Sequence, residues 1–255
     1  MRTVIKIGTS TLCHQSGRLN IRGVEELCKT ISDLKNSGLE VIIVSSGAIA
    51  MGCGKMSLPE RPKDIPGKQA AAAVGQCELM YIYDKLFSQY HHTVAQILIS
   101  AEDIEDEKRH ANFTTALNRL LELDIIPVIN ENDTVATEEL GIGDNDTLAA
   151  HVAASVKAEM LILLSDIDGL YTSDPHKDPG AKLITEVRKL DEDVMRLGGG
   201  AGSGFGTGGM KTKLTAAKIC CKNGCDMLII NGSQPGLLYD VADGKAVGTR
   251  FYAKR

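Results

Sequence analysis

The stretch that decides the fold is Ile125-Ile-Pro-Val-Ile-Asn-Glu-Asn-Asp133, followed by Gly143-Asp-Asn-Asp146 and the Ala-rich segment 147–154. The first part predicts a buried strand, because it is a short apolar run rich in β-branched residues. Residues 147–154 predict a helix, and 144–146 stand where its N-cap is expected. In α/β proteins, ligands bind beyond the carboxyl ends of strands, so this polar connection is expected to line a site.

Strands alternate with helices on both sides of this stretch. Residues 3–8 and 41–44 are predicted strands. The helix between them has an apolar face that includes Val24 and Ile31, and Gly38 supplies a left-handed cap at its end. A strand–helix–strand unit of this kind predicts two parallel strands joined by a right-handed crossover.

The same periodicities predict the remaining elements. Glycines and prolines interrupt any period over residues 52–66, which are predicted to form a loop. The other predictions are a helix over 68–90, a strand over 94–98, a helix over 102–123, a strand over 160–166, turns over 167–175, a Gly-rich loop over 198–209, a helix over 211–223 and a last clear strand over 227–230. This order predicts an α/β protein: a three-layer α/β/α sandwich around an open, mostly parallel sheet, with residues 1–255 forming one domain.

Composition narrows the class of protein. The 28 basic and 33 acidic residues are mixed along the chain, which argues against a nucleic-acid partner. No apolar run reaches the ~18 residues that a membrane span needs, and the N-terminus begins as a strand instead of a signal peptide. The seven cysteines are odd in number and fit no zinc spacing, so we expect reduced thiols in the cytoplasm, with Cys28 a small buried apolar residue.

Several polar or Gly-rich segments follow predicted strands: Gly8-Thr-Ser10, Ser45-Ser-Gly47 and Ser165-Asp166. The late Gly-rich loop leads directly into a helix that carries Lys213. Glycines let backbone amides approach a phosphate closely, and a helix N-terminus adds about half a positive charge. These features favour a phosphate site, with Lys6 and Lys213 balancing the charge; the alternative is a flexible surface loop.

Two familiar nucleotide motifs fit this loop poorly. Gly204-Phe-Gly-Thr-Gly-Gly209 formally matches GxGxxG, but no strand runs directly into it and it lies late in the chain. A dinucleotide-dependent dehydrogenase is therefore disfavoured. The P-loop pattern is not matched either, because Met210 separates Gly209 from Lys211.

Seven segments, taken in order, resemble the amino-acid kinase family: Lys6-Ile-Gly-Thr-Ser10, Val44-Ser-Ser-Gly-Ala-Ile-Ala50, Ala73-Val-Gly-Gln76, Val128-Ile-Asn-Glu-Asn-Asp133, Gly143-Asp-Asn-Asp146, Leu164-Ser-Asp-Ile-Asp-Gly-Leu-Tyr-Thr-Ser-Asp-Pro175 and Gly206-Thr-Gly-Gly-Met-Lys-Thr-Lys213. The resemblance covers essentially the whole chain. The pair of segments Asn130-Glu-Asn-Asp133 and Gly143-Asp-Asn-Asp146 favours the branch of the family that phosphorylates glutamate. Many members of that branch carry an extra C-terminal PUA domain, whereas we expect the catalytic domain alone here.

The resemblance implies transfer of the γ-phosphoryl group of ATP to the side-chain carboxylate of L-glutamate, giving L-glutamyl 5-phosphate in the first step of proline biosynthesis. A carboxylate with a pKa of ~4.3 is already ionised at neutral pH, so the reaction needs no general base. Catalysis then depends on cations and amides placed around the transferred group. Mg²⁺ is expected to arrive with ATP, held by the phosphates, and we predict no metal-ligating residue.

The resemblance also implies roles for individual residues. Lys6 and Lys213 are the expected catalytic cations, and Asp146 is expected to hold them in place. The structural alternatives are that Lys6 is an ordinary strand-end lysine, that Lys213 is an ordinary helix-surface lysine and that Asp146 is a plain N-cap. Glutamate is expected at Ser46, Gly47, Asp133 and Asn145, although Asp133 also suits a turn. The nucleotide is expected at Lys6, Ser165, Asp166, Thr207, Gly208, Gly209, Met210, Lys211 and Lys213.

Two hypotheses besides glutamate phosphorylation stay open at this point. One hypothesis is that the phosphoryl acceptor is a different one used in the family, such as acetylglutamate, carbamate or UMP, because a fold does not fix the substrate. The other is that the chain is a non-catalytic nucleotide-binding sensor. The helix over 68–90 has an apolar face large enough for a partner, and the resemblance implies a homodimer formed through this region.

Overall fold

A computed structural model describes residues 1–135, 144–199 and 209–253. Over these ranges the chain alternates strands and helices, as the sequence predicts. The strands are β1 (Arg2–Ile7), β2 (Glu40–Ser45), β3 (Val94–Ile99), β4 (Ile126–Glu131), β5 (Met160–Ser165), β6 (Leu170–Tyr171), β7 (Leu183–Ile184), β8 (Glu186–Val187), β9 (Asp226–Asn231) and β10 (Thr249–Phe251). The helices are α1 (Thr9–Leu12), α2 (Ile21–Asn36), α3 (Ala48–Lys55), α4 (Ile65–Ser88), α5 (Ala101–Glu105), α6 (Glu107–Glu122), α7 (Asn145–Ser155), α8 (Glu192–Arg196), α9 (Met210–Lys222) and α10 (Leu237–Ala242).

The centre of the molecule is an eight-stranded sheet in the order β3-β4-β2-β1-β5-β9-β10-β8. The strands from β3 to β9 in that order are parallel to their neighbours, whereas β10 runs antiparallel to β9. This confirms the predicted α/β class and the mostly parallel sheet. All six residues of β5 are buried, because strands flank it on both edges and helices cover both faces of the sheet.

Two apolar clusters, one on each face of the sheet, give the three layers. Residues of α6, α7 and α9 form one cluster with Val4 of β1, and residues of α2 and α4 form the other with Ile5 and Ile7. Successive residues of a strand point to opposite faces. Lys6 therefore shares the face of Val4, toward α7 and α9, and this alternation directs its side chain to the site described below.

The first strand–helix–strand unit has the predicted parallel strands. β1 and β2 are parallel, with Ile5 opposite Ile43, and α2 joins them. Gly38 follows α2 with φ of +97°, the left-handed conformation expected of a glycine cap. Cys28 is buried in the cluster beneath α2, which confirms its predicted apolar role. None of the helices within the described ranges is long and apolar enough to cross a membrane.

The predicted loop over residues 52–66 is wrong at both ends. Its first part belongs to α3, which continues to Lys55, and its last part belongs to α4, which begins at Ile65. Asp64 caps α4 by accepting the backbone N–H of Gly67, and Pro66 lies in the first turn, where a missing N–H is tolerated. Proline and glycine therefore mark a helix start and a helix contact here instead of a long loop.

Two further predictions need correction. The single helix expected over 102–123 is divided at Asp106, which ends α5 and caps α6 by accepting the N–H of Arg109. The last clear strand was expected at 227–230, but β10 follows it and pairs with both β9 and β8. A three-residue strand has too short a pattern to be recognised from sequence, since its stability comes from its neighbours.

Glycines let α3 and α4 cross in close contact. A Cβ atom on Gly75 of α4 would lie 1.7 Å from the carbonyl oxygen of Ala48, and one on Gly52 of α3 would lie 1.8 Å from that of Ala71. These are backbone atoms, so the helices would have to move apart to admit a methyl group. Ala48 also lines the cavity described below, and this crossing therefore fixes one wall of it.

We expect Gly75→Ala to lower the free energy of unfolding by about 1–3 kcal/mol, because the added methyl group overpacks a contact between two backbones. Gly236→Ala is the matched control: Gly236 has a helical φ of −58°, and a Cβ there meets no atom within 4 Å. Urea denaturation of both variants measures the difference. An equal, small change in both would contradict the close helix contact.

Candidate active site

A cavity lies at the carboxyl ends of β1, β2, β4 and β5, where the sequence predicts the polar loops to meet. The first turn of α7 and one side chain of α9 complete its wall. The lining residues are Lys6, Gly8, Thr9, Ser10, Ser46, Gly47, Ala48, Ile49, Ala50, Arg61, Asn130, Glu131, Asp133, Asp144, Asn145, Asp146, Leu164, Ser165, Asp166 and Lys213. The fold thus gathers segments that are more than 200 residues apart in the chain into one polar site.

The N-terminus of α7 presents two aspartates with different roles. Asp144 is the N-cap: its carboxylate accepts the backbone N–H of Thr147 at 2.8 Å and lies 3.0 Å from the Thr147 hydroxyl. Asp146 lies one residue inside the helix and makes no such bond to its own helix start. The alternative that Asp146 is a plain N-cap is therefore wrong, since Asp144 already fills that position.

Asp146 joins two lysines from distant elements. Lys6 Nζ lies 2.7 Å from Asp146 Oδ1, and Lys213 Nζ donates to Asp146 Oδ2 at 3.0 Å. The side chain of Asp146 is 1% exposed, and those of Lys6 and Lys213 are 12% and 7% exposed. Thr212 adds a hydroxyl 3.0 Å from Oδ2, a partner that the sequence does not single out. One carboxylate thus holds two ammonium groups side by side at the cavity wall.

The charges of this group support one another. Burial alone raises the pKa of the Asp146 carboxyl, but the adjacent ammonium groups of Lys6 and Lys213 outweigh it and hold the pKa at about 2. Asp146 is therefore ionised at neutral pH. Two positive charges against one negative charge leave this group of three residues with a net charge of about +1, which favours an anionic ligand next to the two ammonium groups.

Asn145 and Ser46 meet on the opposite side of α7's first turn. The Asn145 amide nitrogen donates to Ser46 Oγ at 2.9 Å and to Asn130 Oδ1 at 3.2 Å. Gly47 follows with φ of +97°, a conformation that disfavours any residue with a side chain. The backbone turn at Gly47 and the side chains of Asn145 and Ser46 together form a small polar recess.

Asp133 and Arg61 face this recess from two loops. Burial raises the pKa of Asp133, and the positive charge of Arg61 partly offsets that rise. Arg61 carries no functional signal in the sequence, because it lies within residues 52–66, which are predicted to form a loop. Asn130 is not predicted as a site residue either, although its place in the Asn-Glu-Asn-Asp segment is a signal that could have indicated a role.

The residues expected at the nucleotide divide into three groups. Ser165 and Asp166 line the cavity at the end of β5, with Ser165 Oγ 3.2 Å from Asp166 Oδ1. Gly209 forms the start of α9, while Met210 packs against the core and Lys211 is exposed. Thr207 and Gly208 lie outside the described residues. The assignment of all these residues to the nucleotide stays a prediction.

The fold and this site define a class of protein. A model of the amino acid kinase family matches residues 1–231, and the chain belongs to that family. Two curated relatives are glutamate 5-kinases. The enzyme of Clostridium tetani is 51% identical over 250 residues, which cover 98% of this chain and 94% of the relative. That of Caldanaerobacter subterraneus subsp. tengcongensis is 51% identical over 251 residues, which cover 98% of this chain and 68% of the relative.

Solved structures of distant relatives share the fold. Carbamate kinase from Giardia lamblia bound to AMP-PNP superposes with a TM-score of 0.70 at 16% identity, covering 99% of this chain and 98% of that one. UMP kinase from Bacillus anthracis gives a TM-score of 0.67 at 16% identity, covering 100% and 96%. Identities this low show a common architecture alone, and the acceptor has to be inferred from the site.

Proposed function

We propose that this protein is a glutamate 5-kinase, which transfers the γ-phosphoryl group of ATP to the side-chain carboxylate of L-glutamate. The observation that carries the proposal is the pair Lys6 and Lys213 bound to the single buried carboxylate of Asp146. The similarity to two glutamate 5-kinases at 51% identity supports the choice of acceptor. We further propose that residues 1–255 act as one catalytic domain.

The chemistry requires charge neutralisation more than proton transfer. The acceptor carboxylate is ionised at neutral pH, and it must approach the polyanionic end of ATP. Lys6 and Lys213 reduce this repulsion and stabilise the charge that spreads over the transferred phosphoryl oxygens. Asp146 contacts both ammonium groups and fixes their positions before the substrates arrive, so no reorganisation is needed during the reaction.

The recess beside this group suits the amino-acid substrate. Ser46 and the backbone N–H of Gly47 are placed to receive the reacting carboxylate, while Asp133 and Asn145 receive the α-ammonium group. A half-buried aspartate whose pKa is raised by desolvation is costly to ionise alone. An ammonium group bound beside Asp133 compensates that cost, which makes a free amino acid a better ligand here than an acylated one.

The opposite side of the cavity suits the nucleotide. Gly209 starts α9 without a side chain that caps the helix, and the first backbone N–H groups of a helix have no partner within it. These groups and Lys213 are placed to receive phosphate oxygens, with Ser165 and Asp166 beside the remainder of ATP. Within the described residues, no group of three or more His, Cys, Asp or Glu side chains is arranged to hold a metal ion. We propose that Mg²⁺ arrives with ATP, held by the phosphates, whose charge it would neutralise.

The acceptor is tested by measuring ATP-dependent hydroxamate formation with L-glutamate, N-acetyl-L-glutamate and carbamate, and ADP release with UMP. We expect turnover with L-glutamate and a kcat/KM at least 10²-fold lower for each other acceptor, because the recess contains groups that an acylated or amino-free acceptor leaves unpaired. ATP binding with no turnover of any acceptor would favour the nucleotide-binding sensor. Turnover of one other acceptor alone would move the assignment within the family.

We also propose a homodimer formed through α4. Of the apolar residues on the helix face that suggested a partner, Leu79, Tyr83 and Leu86 are buried within the subunit, whereas Ile82 is half-buried. Tyr81 beside it on α4 is exposed and is available to a partner. Sedimentation velocity is expected to give twice the mass of the chain, and Tyr81→Glu is expected to shift the protein toward the monomer.

A further inference from the structure

A chain of side-chain amides runs from the outside of the sheet to the proposed substrate recess. Gln76 Nε2 donates to Gln96 Oε1 at 3.2 Å, Asn130 Nδ2 donates to Gln76 Oε1 at 2.9 Å, and Asn145 Nδ2 donates to Asn130 Oδ1 at 3.2 Å. Asn130 is fully buried, and Gln76 is 9% exposed. Two of these residues, Asn130 and Asn145, line the cavity, whereas Gln76 belongs to α4 and does not.

Backbone groups give this chain a single direction. The N–H of Glu131 donates to Asn130 Oδ1 at 2.9 Å, so the Asn130 amide must turn its oxygen toward Glu131 and Asn145. Its nitrogen then faces Gln76, which must present an oxygen. Asn145 in turn directs its nitrogen toward Asn130 Oδ1 and the carbonyl of Ser45, both of which only accept. If any one amide flipped, two donors or two acceptors would face each other and a hydrogen bond of the chain would be lost.

The direction of the chain decides which atom Asn145 offers to a ligand. With its nitrogen used on the sheet side, Asn145 is left with Oδ1, a buried oxygen that has no hydrogen-bond partner among the described residues. A buried acceptor of this kind is complementary to a donor such as an ammonium group. The reversed amide would instead present an N–H₂ group, which repels an ammonium group and favours an acceptor.

We propose that Gln76 is a positioning residue that sets, through Asn130, the orientation of the Asn145 amide and so the preference for an acceptor with a free α-ammonium group. This inference rests on the proposed function, since it takes glutamate as the ligand of the recess. Gln76 acts without touching the substrate. Its oxygen holds the Asn130 nitrogen on the α4 side; without it, that buried donor lacks a partner and the Asn130 side chain turns to find one.

Gln76→Met tests the role, because methionine has a similar length but offers no strong acceptor to Asn130. We expect KM for L-glutamate to rise about tenfold, the loss typical of one hydrogen bond to a charged group. The inhibition constant of glutarate, which has both carboxylates but no ammonium group, should change less than twofold. KM for ATP and kcat should also stay within about twofold, since Lys6, Lys213 and Asp146 are untouched.

Gln76→Glu is the conservative control, because one carboxyl oxygen still accepts from Asn130 and the exposed amide of Gln96 can turn to donate to the other; it should keep KM for glutamate within about twofold of the unmodified protein. Circular dichroism confirms folding, and Gln76→Leu replaces the methionine variant if that one unfolds. An unchanged KM for glutamate, or an equal rise in the glutarate constant, would overturn the positioning role. Failure of the unmodified protein to phosphorylate glutamate would instead overturn the proposed function, so the two failures are distinguishable.

Discussion

Replacing Lys213 by alanine is expected to lower kcat about 10²–10³-fold, the loss typical of removing one preorganised group that stabilises a transition state. Lys213 is buried and its ammonium group contacts Asp146. Thr212, which also reaches this carboxylate from α9, carries no charge that could replace it. KM for glutamate should change little, because the proposed contact is made to the transferred phosphoryl group. Lys6→Ala is expected to behave similarly, since Lys6 holds the other oxygen of Asp146.

Lys218→Ala is the matched control for this experiment. Lys218 lies on the same helix, α9, and is exposed to solvent. Its removal changes the net charge by the same amount without altering the cavity, and kcat should stay within about twofold, as for most exposed substitutions. Initial rates at saturating ATP and glutamate measure the difference. Full activity of Lys213→Ala would contradict the catalytic role of Lys213. It would also mean that the presence of this lysine no longer argues against a non-catalytic nucleotide-binding sensor.

Asp146→Asn is the second substitution with a large expected effect, and it acts on stability as well as on rate. It leaves the ammonium groups of Lys6 and Lys213 buried without their counter-ion. Removing one partner of a buried ion pair typically costs 3–5 kcal/mol, so we expect the free energy of unfolding to fall by about 3 kcal/mol or more. The two lysines also lose their fixed positions, and kcat should fall at least about 10²-fold.

The pH dependence of this loss follows from the sign of the pKa shift. The pKa of Asp146 is lowered from its ordinary value of 3.8 to about 2, so the ionised form stabilises the fold. Its contribution is fully present above about pH 4 and is lost as the pH falls toward 2. The difference in unfolding free energy between the unmodified protein and Asp146→Asn should therefore be largest at neutral pH and shrink over this interval in urea titrations.

Asp226→Asn is a control that removes a buried carboxylate without altering the cavity. Asp226 is also a buried aspartate, 2.7 Å from Arg250 Nη2, but it lies at the first residue of β9, the end of the strand away from the cavity. We expect this variant to unfold more easily and yet to keep kcat within about twofold. If both aspartate variants lost stability and kept their rates, Asp146 would be a structural residue only.

The sequence by itself determined the order of the main strands and longer helices, although not β10 or the division between α5 and α6, and it indicated where in the fold the polar segments meet. Hydrophobic periodicity is a local property, so the pattern around β1, α2 and β2 is readable without knowledge of the partners. The carboxyl ends of parallel strands meet at one edge of a sheet. Lys6, Ser46 and Ser165 were expected there for this reason, and they line one cavity. The resemblance to a family added the roles that the residue pattern alone could not assign.

Only the tertiary structure decided which side chains touch. Asp144 caps α7 and frees Asp146 for the lysines, a division that two aspartates in neighbouring positions do not reveal. Gly52 lies where α3 contacts α4, and this role could not be read from the sequence because it depends on how closely α4 approaches. Gln76 reaches Asn130 across 54 residues of chain for the same reason. Such contacts depend on how elements pack, and packing is a property of the assembled fold, which no local segment of the sequence encodes.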